Sequence, residues 1–534
     1  MAASAPQPNF SRQLRNPQLM DAALALAENR LHDAEPLLKS HLKRDPFDVA
    51  AIRMLAELAG RIGRYGDAEK LLTRALELAP NWVPARSNLA ILQYRQNRPV
   101  EALATLDALA ALDPDGSGSE NLRAAALGRI GDYQEALAIY EQVLARQAAQ
   151  PKVWMSYGHI LKTVGRQADS VAAYRNALTH APGFGEVWWS LANLKTVRFS
   201  DDDLAAMDAA LARNDISHED RFHLHFALGK ARDERGEHEP AFTHFETGNQ
   251  MRGEELGYDP GDITRQVETA SALFTHDFFA ARQGWGCDAR DPVFILGMPR
   301  AGSTLIEQIL SSHSQVEGTM ELPDLPALFR TMGGPGQWAE RVAALTANEA
   351  RALGEDYLNR TRIQRKTDKP FFIDKLPNNW LHTGFIRLIL PNARIIDARR
   401  HPLDCCFSNY RQHFARGQAF SYALNWMGTY YRDYVRLMAQ MDRAQPGAVV
   451  RVIHENLLDD AEGGIRGLLD ALHLPFEEAC LRFHENDRAV RTASSEQVRR
   501  PINRDGAGAW KPYETWLEPL KAALGGALTY PESA

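Results

Sequence analysis

The sequence predicts two architectures in one chain: an N-terminal all-α solenoid, followed by an α/β domain with a central parallel sheet. Three observations predict it. Small residues and prolines recur in phase at intervals of 34. Glycine and proline then cluster after residue 256, and beyond residue 292 short β-branched or aromatic runs alternate with helical stretches.

The repeats come first along the chain. Prolines stand at 46, 80, 114 and 182, spaced by 34, 34 and 68. Ala34, Ala68, Ala102 and Ser170 each precede one of them by 12, and Ala136 fills the missing phase. Leu55, Leu89 and Leu191 echo the same period, as do Ala90, Gly158 and Ala192. A helix pair explains the pattern. The small residue lets the second helix approach the first, and the proline ends the second helix and turns the chain. About six units are expected between residues 17 and 217, the sixth ragged, with a seventh hairpin at 222–255 carried by Leu228, Gly229 and Ala241. The pattern resembles the tetratricopeptide (TPR) family. That resemblance implies a concave groove for a protein or peptide segment.

Length and composition bound the rest of the chain. A chain of 534 residues needs two or three domains. The apolar fraction of 45% and charged fraction of 24% are those of a globular protein. A net charge of −7 argues against a general nucleic-acid binder, so an anion site must be local. The four cysteines, at 287, 405, 406 and 480, are too few and too poorly spaced for a disulfide framework or a zinc knuckle. Residues 1–20 lack a charged-then-apolar signal layout, and no apolar run approaches the ~20 residues of a membrane span. The expectation is a soluble, cytoplasmic protein with reduced thiols and no metal. His223 and His225 point to different faces of a helix and read as packing or surface residues.

The expected layout is repeats over 15–255, a linker over 256–290 and an α/β domain over 291–534. Strands are expected at 293–296, 371–373, 394–398 and 449–453. The first runs into Gly297-Met298-Pro299-Arg300-Ala301-Gly302-Ser303-Thr304 and then an apolar-periodic helix. Strand, glycine-bearing loop and helix form a phosphate cradle, in which backbone N–H groups and the helix dipole face an anion. A Walker A loop would carry Lys where Ser303 stands, so a nucleotide triphosphatase or kinase is disfavoured. A second candidate anchor, about 100 residues on, is Arg399-Arg400-His401-Pro402-Leu403-Asp404-Cys405-Cys406-Phe407-Ser408. Arg presents a planar fork to phosphate oxygens, and Ser408 can face it from the next helix.

Together these segments resemble the sulfotransferase superfamily. Residues 299–304 are similar to its 5′-phosphosulfate loop. Residues 400–408 resemble its Arg-(Asn/Asp)-Pro-x-Asp-x-x-x-Ser segment, with His401 at the Asn/Asp position. A third run, Thr492-Ala493-Ser494-Ser495-Glu496-Gln497-Val498-Arg499-Arg500-Pro501-Ile502-Asn503, followed by Trp510-Lys511, resembles the tyrosylprotein sulfotransferase branch. The resemblance covers roughly residues 293–516. It implies a P-loop-like sulfotransferase domain that uses 3′-phosphoadenosine 5′-phosphosulfate (PAPS) as donor. Pro299, Arg300, Ala301, Gly302, Ser303 and Thr304 would hold the 5′ end, and Arg400 and Ser408 the 3′-phosphate. Ser494 and Lys511 would contact the donor, although in that branch the Lys precedes the Trp. His454 stands where the branch has a Tyr.

Sulfonate transfer needs a base for the acceptor hydroxyl and a cation near the bridging oxygen. Small-molecule sulfotransferases use a His before Leu-Pro; here the segment is Asp374-Lys375-Leu376-Pro377. Lys375 matches the lysine of the tyrosylprotein branch, which stabilises the departing group. Glu321, in Gly318-Thr319-Met320-Glu321-Leu322-Pro323, is the candidate base. Pro323 stands where that branch has an Arg that engages the acceptor tyrosine. The acceptor therefore stays open between tyrosine of a polypeptide, a saccharide and a small-molecule hydroxyl. The alternative is a TPR interaction scaffold with a catalytically degenerate sulfotransferase-like domain.

Overall fold

A computed structural model describes residues 16–113, 119–414, 417–492 and 495–529. The chain divides into two compact units, one ending at Ile160 and one beginning at Leu161.

The first unit is a run of helix pairs: Pro17–Ala27 with Leu31–Arg44, Val49–Arg61 with Tyr65–Leu78, Val83–Arg95 with Pro99–Leu112, and Glu120–Ile130 with Tyr133–Arg146. Ala34, Ala68, Ala102 and Ala136 are fully buried on the second helix of each pair, as close approach requires. Pro46 and Pro80 follow helix ends; Pro114 lies outside the described residues. The turn between paired helices places one residue in the left-handed region, at Asn29, Gly63, Asn97, Gly131 and Gly165. These positions are 34 apart, and only Gly or Asn occupies them, as that conformation favours.

The second unit opens with the continuation of the repeats: Gln167–His180, Gly185–Ala192, Asp201–Leu211, His218–Glu234 and His238–Leu256. Here the period breaks. The first helix of the ragged unit, Gly185–Ala192, has 8 residues where its counterpart Val49–Arg61 has 13. The left-handed turn residue arrives early, at Lys195. The expected boundary at 255 is not where the chain divides into compact units. Side chains explain this. Asp233 accepts from Arg411 at 2.9 Å and from the Tyr513 hydroxyl at 2.6 Å, Gln412 donates to Asn193 at 3.2 Å, and Asn249 donates to the carbonyl of Tyr410 at 2.9 Å. The segment read as a linker holds the helix Pro260–Leu273, which packs by Val267 and Ala270 and bonds Asp433 through Thr264 at 2.6 Å.

The remaining chain forms five strands: β1 (Pro292–Gly297), β2 (Val316–Gly318), β3 (Phe371–Lys375), β4 (Arg394–Arg399) and β5 (Val449–Ile453). All neighbours are parallel, in the order β2-β3-β1-β4-β5. The short edge strand β2 was not expected. β1 is central and buried throughout, which explains its unbroken apolar run. Val293, Ile295, Ile373 and Ile396 pack on one face against the helices Ser303–Ser311 and Ala461–Ala471. On the other, Phe294 meets Tyr357, with ring centroids 5.5 Å apart. After β1 the chain forms β2 and β3 on one side of it, and then β4 and β5 on the other. Crevices for ligands open at such a switch point, at the carboxyl ends of the strands.

Candidate functional site

The loop after β1 is shaped by close backbone contacts. A Cβ on Gly297 would lie 2.4 Å from the carbonyl oxygen of Ala398 on β4, so no larger residue fits. Gly302 is left-handed and begins the helix Ser303–Ser311; a Cβ there would lie 2.8 Å from Nδ1 of His454. Arg300, between them, is also left-handed at φ 65°. A residue with a side chain persists in that region only where its surroundings over-determine it. Here the carbonyl of Pro299 accepts from Asn409 Nδ2 at 2.7 Å, and Ala301 is buried. The helix presents the start of its backbone, with Ser303 and Thr304, to the loop.

The loop after β4 comes to the same place. Arg400 donates to the carbonyl of Arg300 at 3.3 Å, to the carbonyl of Gly506, and lies 4.0 Å from Asp404. Arg300 Nε donates to Ser408 Oγ at 3.2 Å. The two basic segments, 100 residues apart in sequence, thus share one crevice. Arg399 points the other way, into a buried pair with Asp397 at 2.9 Å.

A cavity of about 520 Å³ lies over these residues. Arg300, Gly302, Ser303, Thr304, Arg400, Ser408 and His454 line it. The repeat helices supply the opposite wall through Trp189, Lys195, Lys230 and Asp233. Six basic side chains (Lys195, Lys230, Arg300, Arg400, Arg411 and Arg500) face four acidic ones (Asp233, Asp404, Glu496 and Asp505). The surplus is felt by its members. Burial, then Arg400 and Arg411, lower the Arg300 guanidinium to about 10. Burial, then Arg300, hold the Lys195 amine well below its ordinary value. Nearby, burial lowers Lys162 to about 8, with Arg300 adding to the shift and Glu496 opposing it. His454 is pushed down to about 4 by burial and then Arg400, so it is neutral at pH 7, and its buried Nδ1 has no protein partner among the described residues.

Glu321 and Lys375 meet elsewhere on the same sheet edge. Lys375 ends β3 beside Ile295 of β1, and its amine is 1% exposed. It lies 2.5 Å from Glu321 Oε1 and 4.0 Å from Glu307 Oε2. Glu321 is 44% exposed; Glu307 is buried and pairs with Arg488 at 3.2 Å. The charges alternate: Glu321, Lys375, Glu307, Arg488. Neither Glu321 nor Lys375 is on the wall of the cavity.

The other sequence candidates separate. Ser494 lies outside the described residues. Lys511 starts the turn Lys511–Trp516 and is exposed; its neighbours Ala509 and Pro512 line the cavity and it does not. His223 is buried with Nδ1 2.8 Å from the carbonyl of Glu219, and His225 lies 3.0 Å from His244. Cys405 and Cys406 are buried and unbridged, Cys405 being pushed up to about 12 by burial. Among the described residues, His41, Asp45 and Asp48 are close enough to share a metal, but Asp48 Oδ1 caps the helix Val49–Arg61 and its Oδ2 bonds His41 at 2.8 Å. Sequence reasoning did not single out Glu307 and Arg488 beside Lys375, or Lys195 on the cavity wall. Glu307 carried a usable signal, since it lies one helical turn after Ser303 on the same face. Arg488 and Lys195 carried none.

Residues 292–478 match a model of the sulfotransferase family, and residues 19–81, 61–126 and 121–183 match tetratricopeptide repeat models. An uncharacterized protein of Aquifex aeolicus (strain VF5) is 27% identical over 519 residues, which are 92% of this chain and 67% of that protein. A putative protein-tyrosine sulfotransferase of Caenorhabditis briggsae is 22% identical over 228 residues, 41% of this chain and 80% of that one. Among solved structures, the sulfotransferase domain of the Synechococcus PCC 7002 olefin synthase aligns at 20% identity with a TM-score of 0.33, over 43% of this chain and 90% of that domain. A thermophilic TPR protein of Thermus thermophilus aligns at 22% identity with a TM-score of 0.29, over 32% of this chain and 93% of that one. The chain carries tetratricopeptide repeats followed by a domain of the sulfotransferase family.

Proposed function

We propose that the chain is a PAPS-dependent sulfotransferase that moves a sulfonate group to an acceptor hydroxyl. One observation carries the reading. Arg400 lies 3.3 Å from the backbone of the 297–302 loop while Arg300 reaches Ser408, so both anchors open on one cation-rich cavity. A nucleotide with phosphate groups at both its 5′ and 3′ positions suits two such anchors; ATP, which has no 3′-phosphate, suits one. The 5′-phosphosulfate would lie against Arg300, Gly302, Ser303 and Thr304, and the 3′-phosphate against Arg400 and Ser408.

In the transfer step Glu321 takes the acceptor's proton, and the acceptor oxygen forms a bond to sulfur. The bond from sulfur to the bridging oxygen breaks, and the electron pair leaves on the 5′-phosphate of adenosine 3′,5′-bisphosphate. Lys375 stabilises the charge that builds on the departing oxygen. No metal is needed for this balance. Tyrosine of a polypeptide brought by the repeats is the leading acceptor, on the strength of the Caenorhabditis briggsae relative. The unbridged Cys405–Cys406 neighbours suit a reducing, cytoplasmic setting. Among the described residues no helix is long and apolar enough to cross a membrane.

The test is incubation with sulfur-35-labelled PAPS and a panel of tyrosine peptides, glycans and phenols. Label on one acceptor class, competed by adenosine 3′,5′-bisphosphate and not by ATP, is expected. Donor binding without transfer to any acceptor, unchanged by Glu321→Ala, would favour a scaffold with a silent domain.

A further inference from the structure

We propose that Lys195, from the broken sixth repeat, is a binding residue for the 3′-phosphate of the donor nucleotide. The inference rests on the donor assignment above and adds a ligand from outside the segments that resemble sulfotransferases.

The structure brings Lys195 there by a specific departure from its own repeat. The helix Gly185–Ala192 stops early, and the left-handed turn falls on Lys195 at φ 61°. Elsewhere in the array the left-handed turn residues are Asn or Gly. The turn is held by the two residues before it: Leu194 is fully buried, and Asn193 accepts from Gln412, four residues past Ser408. A lysine kept in a sparsely populated conformation by a buried neighbour and a cross-link marks a position whose side-chain direction matters.

That direction is into the cavity. Lys195 Nζ donates to Gln497 Oε1 at 3.3 Å, and Arg300 donates to the same oxygen at 3.4 Å. Arg300 in turn reaches Ser408. Two cations therefore converge on one neutral carbonyl oxygen, one step from the hydroxyl assigned to the 3′-phosphate. A dianionic phosphate held by Arg400 and Ser408 would attract both. The hydrogen-bond path from Lys195 runs through Gln497 and Arg300 to Ser408, so Lys195 should discriminate by the 3′ group.

The test uses the full chain and calorimetric binding of two probes, adenosine 3′,5′-bisphosphate and 5′-AMP. The unaltered protein is expected to prefer the bisphosphate. Lys195→Gln should cut bisphosphate affinity by about tenfold or more and leave 5′-AMP within about twofold, and Lys195→Arg should retain most of the preference. Equal loss for both probes, or none for either, overturns the assignment of Lys195. No preference for the bisphosphate in the unaltered protein overturns the donor reading itself, so the two failures are distinguishable. A second measurement needs no variant: bisphosphate, but not 5′-AMP, should protect Lys195 from acetylation by an N-hydroxysuccinimide ester, read by peptide mass spectrometry. Equal modification with and without bisphosphate overturns the proposal even if Lys195→Gln fails to fold.

Discussion

The cavity beside β4 and the ion-pair chain beside β3 occupy one sheet edge but handle charge differently. In the cavity, six basic side chains face four acidic ones, and Arg300 and Lys195 are both held below their ordinary pKa values. Around Lys375, each charge has an opposite neighbour: Glu321 at 2.5 Å and Glu307 at 4.0 Å, with Arg488 behind. The first region lines its cavity with more basic than acidic side chains, and in the second the charges alternate. On the proposed function, the first region binds the donor and the second carries the transfer. Binding and chemistry should then be separable by substitution.

The largest effect that would break this separation is at Glu321. Glu321→Gln should lower kcat by about 10²–10⁴-fold while bisphosphate affinity, measured by calorimetry, stays unchanged. A parallel loss of binding would merge the two regions. Arg400→Ala should do the converse, weakening bisphosphate binding by about 30–100-fold through the loss of a charge-assisted contact. Glu307→Gln sharpens the comparison. It leaves Lys375 with one carboxylate, so transfer should fall about tenfold, with donor affinity intact.

A smaller effect concerns pH. Lys162 has a folded-state value of about 8, against 10.5 for the ordinary amine. A bound anion favours its charged form, so binding should take up a proton above pH 8. Bisphosphate affinity should therefore fall as pH rises from 8 toward 10.5, and calorimetry in buffers of different ionisation enthalpy reads the uptake. The sign for stability is opposite. Between those pH values the unfolded chain binds the extra proton, so this group's cost to the ligand-free fold shrinks as pH rises. The smallest effect is expected from removing residues 1–150, which keeps the helix Pro151–Thr163 whole. Every residue lining the cavity lies beyond Leu161, so bisphosphate affinity should stay within about twofold.

Legibility in the sequence followed the range of the interactions concerned. The repeats were legible because Ala34, Ala68, Ala102 and Ala136 answer to a local steric demand that recurs with the period. The strands β1, β3, β4 and β5 were legible as short apolar runs between helices. β2 was not, because three residues reading Val-Glu-Gly carry no alternation. The loop at 297–304 announced itself by its glycines, and the structure gives each a reason: the Ala398 carbonyl and the His454 ring. Lys195 could not be found from sequence. Its place depends on where a helix ends and on Gln497, 302 residues away. Lys511 shows the converse, a residue placed by motif that the backbone turns toward solvent.

The left-handed residues at 29, 63, 97, 131 and 165 have a consequence for how such a chain can change. Any stretch of 34 residues cut at equivalent points carries one complete turn, so cassettes upstream could be duplicated or lost without altering joint geometry. Reach could be lengthened or shortened in this way as an independent variable. The segment at 185–200 has no such freedom: a regular cassette put in its place would restore the period and withdraw the amine. Evolution, or an engineer, can resize everything before it and must leave that one irregular joint alone.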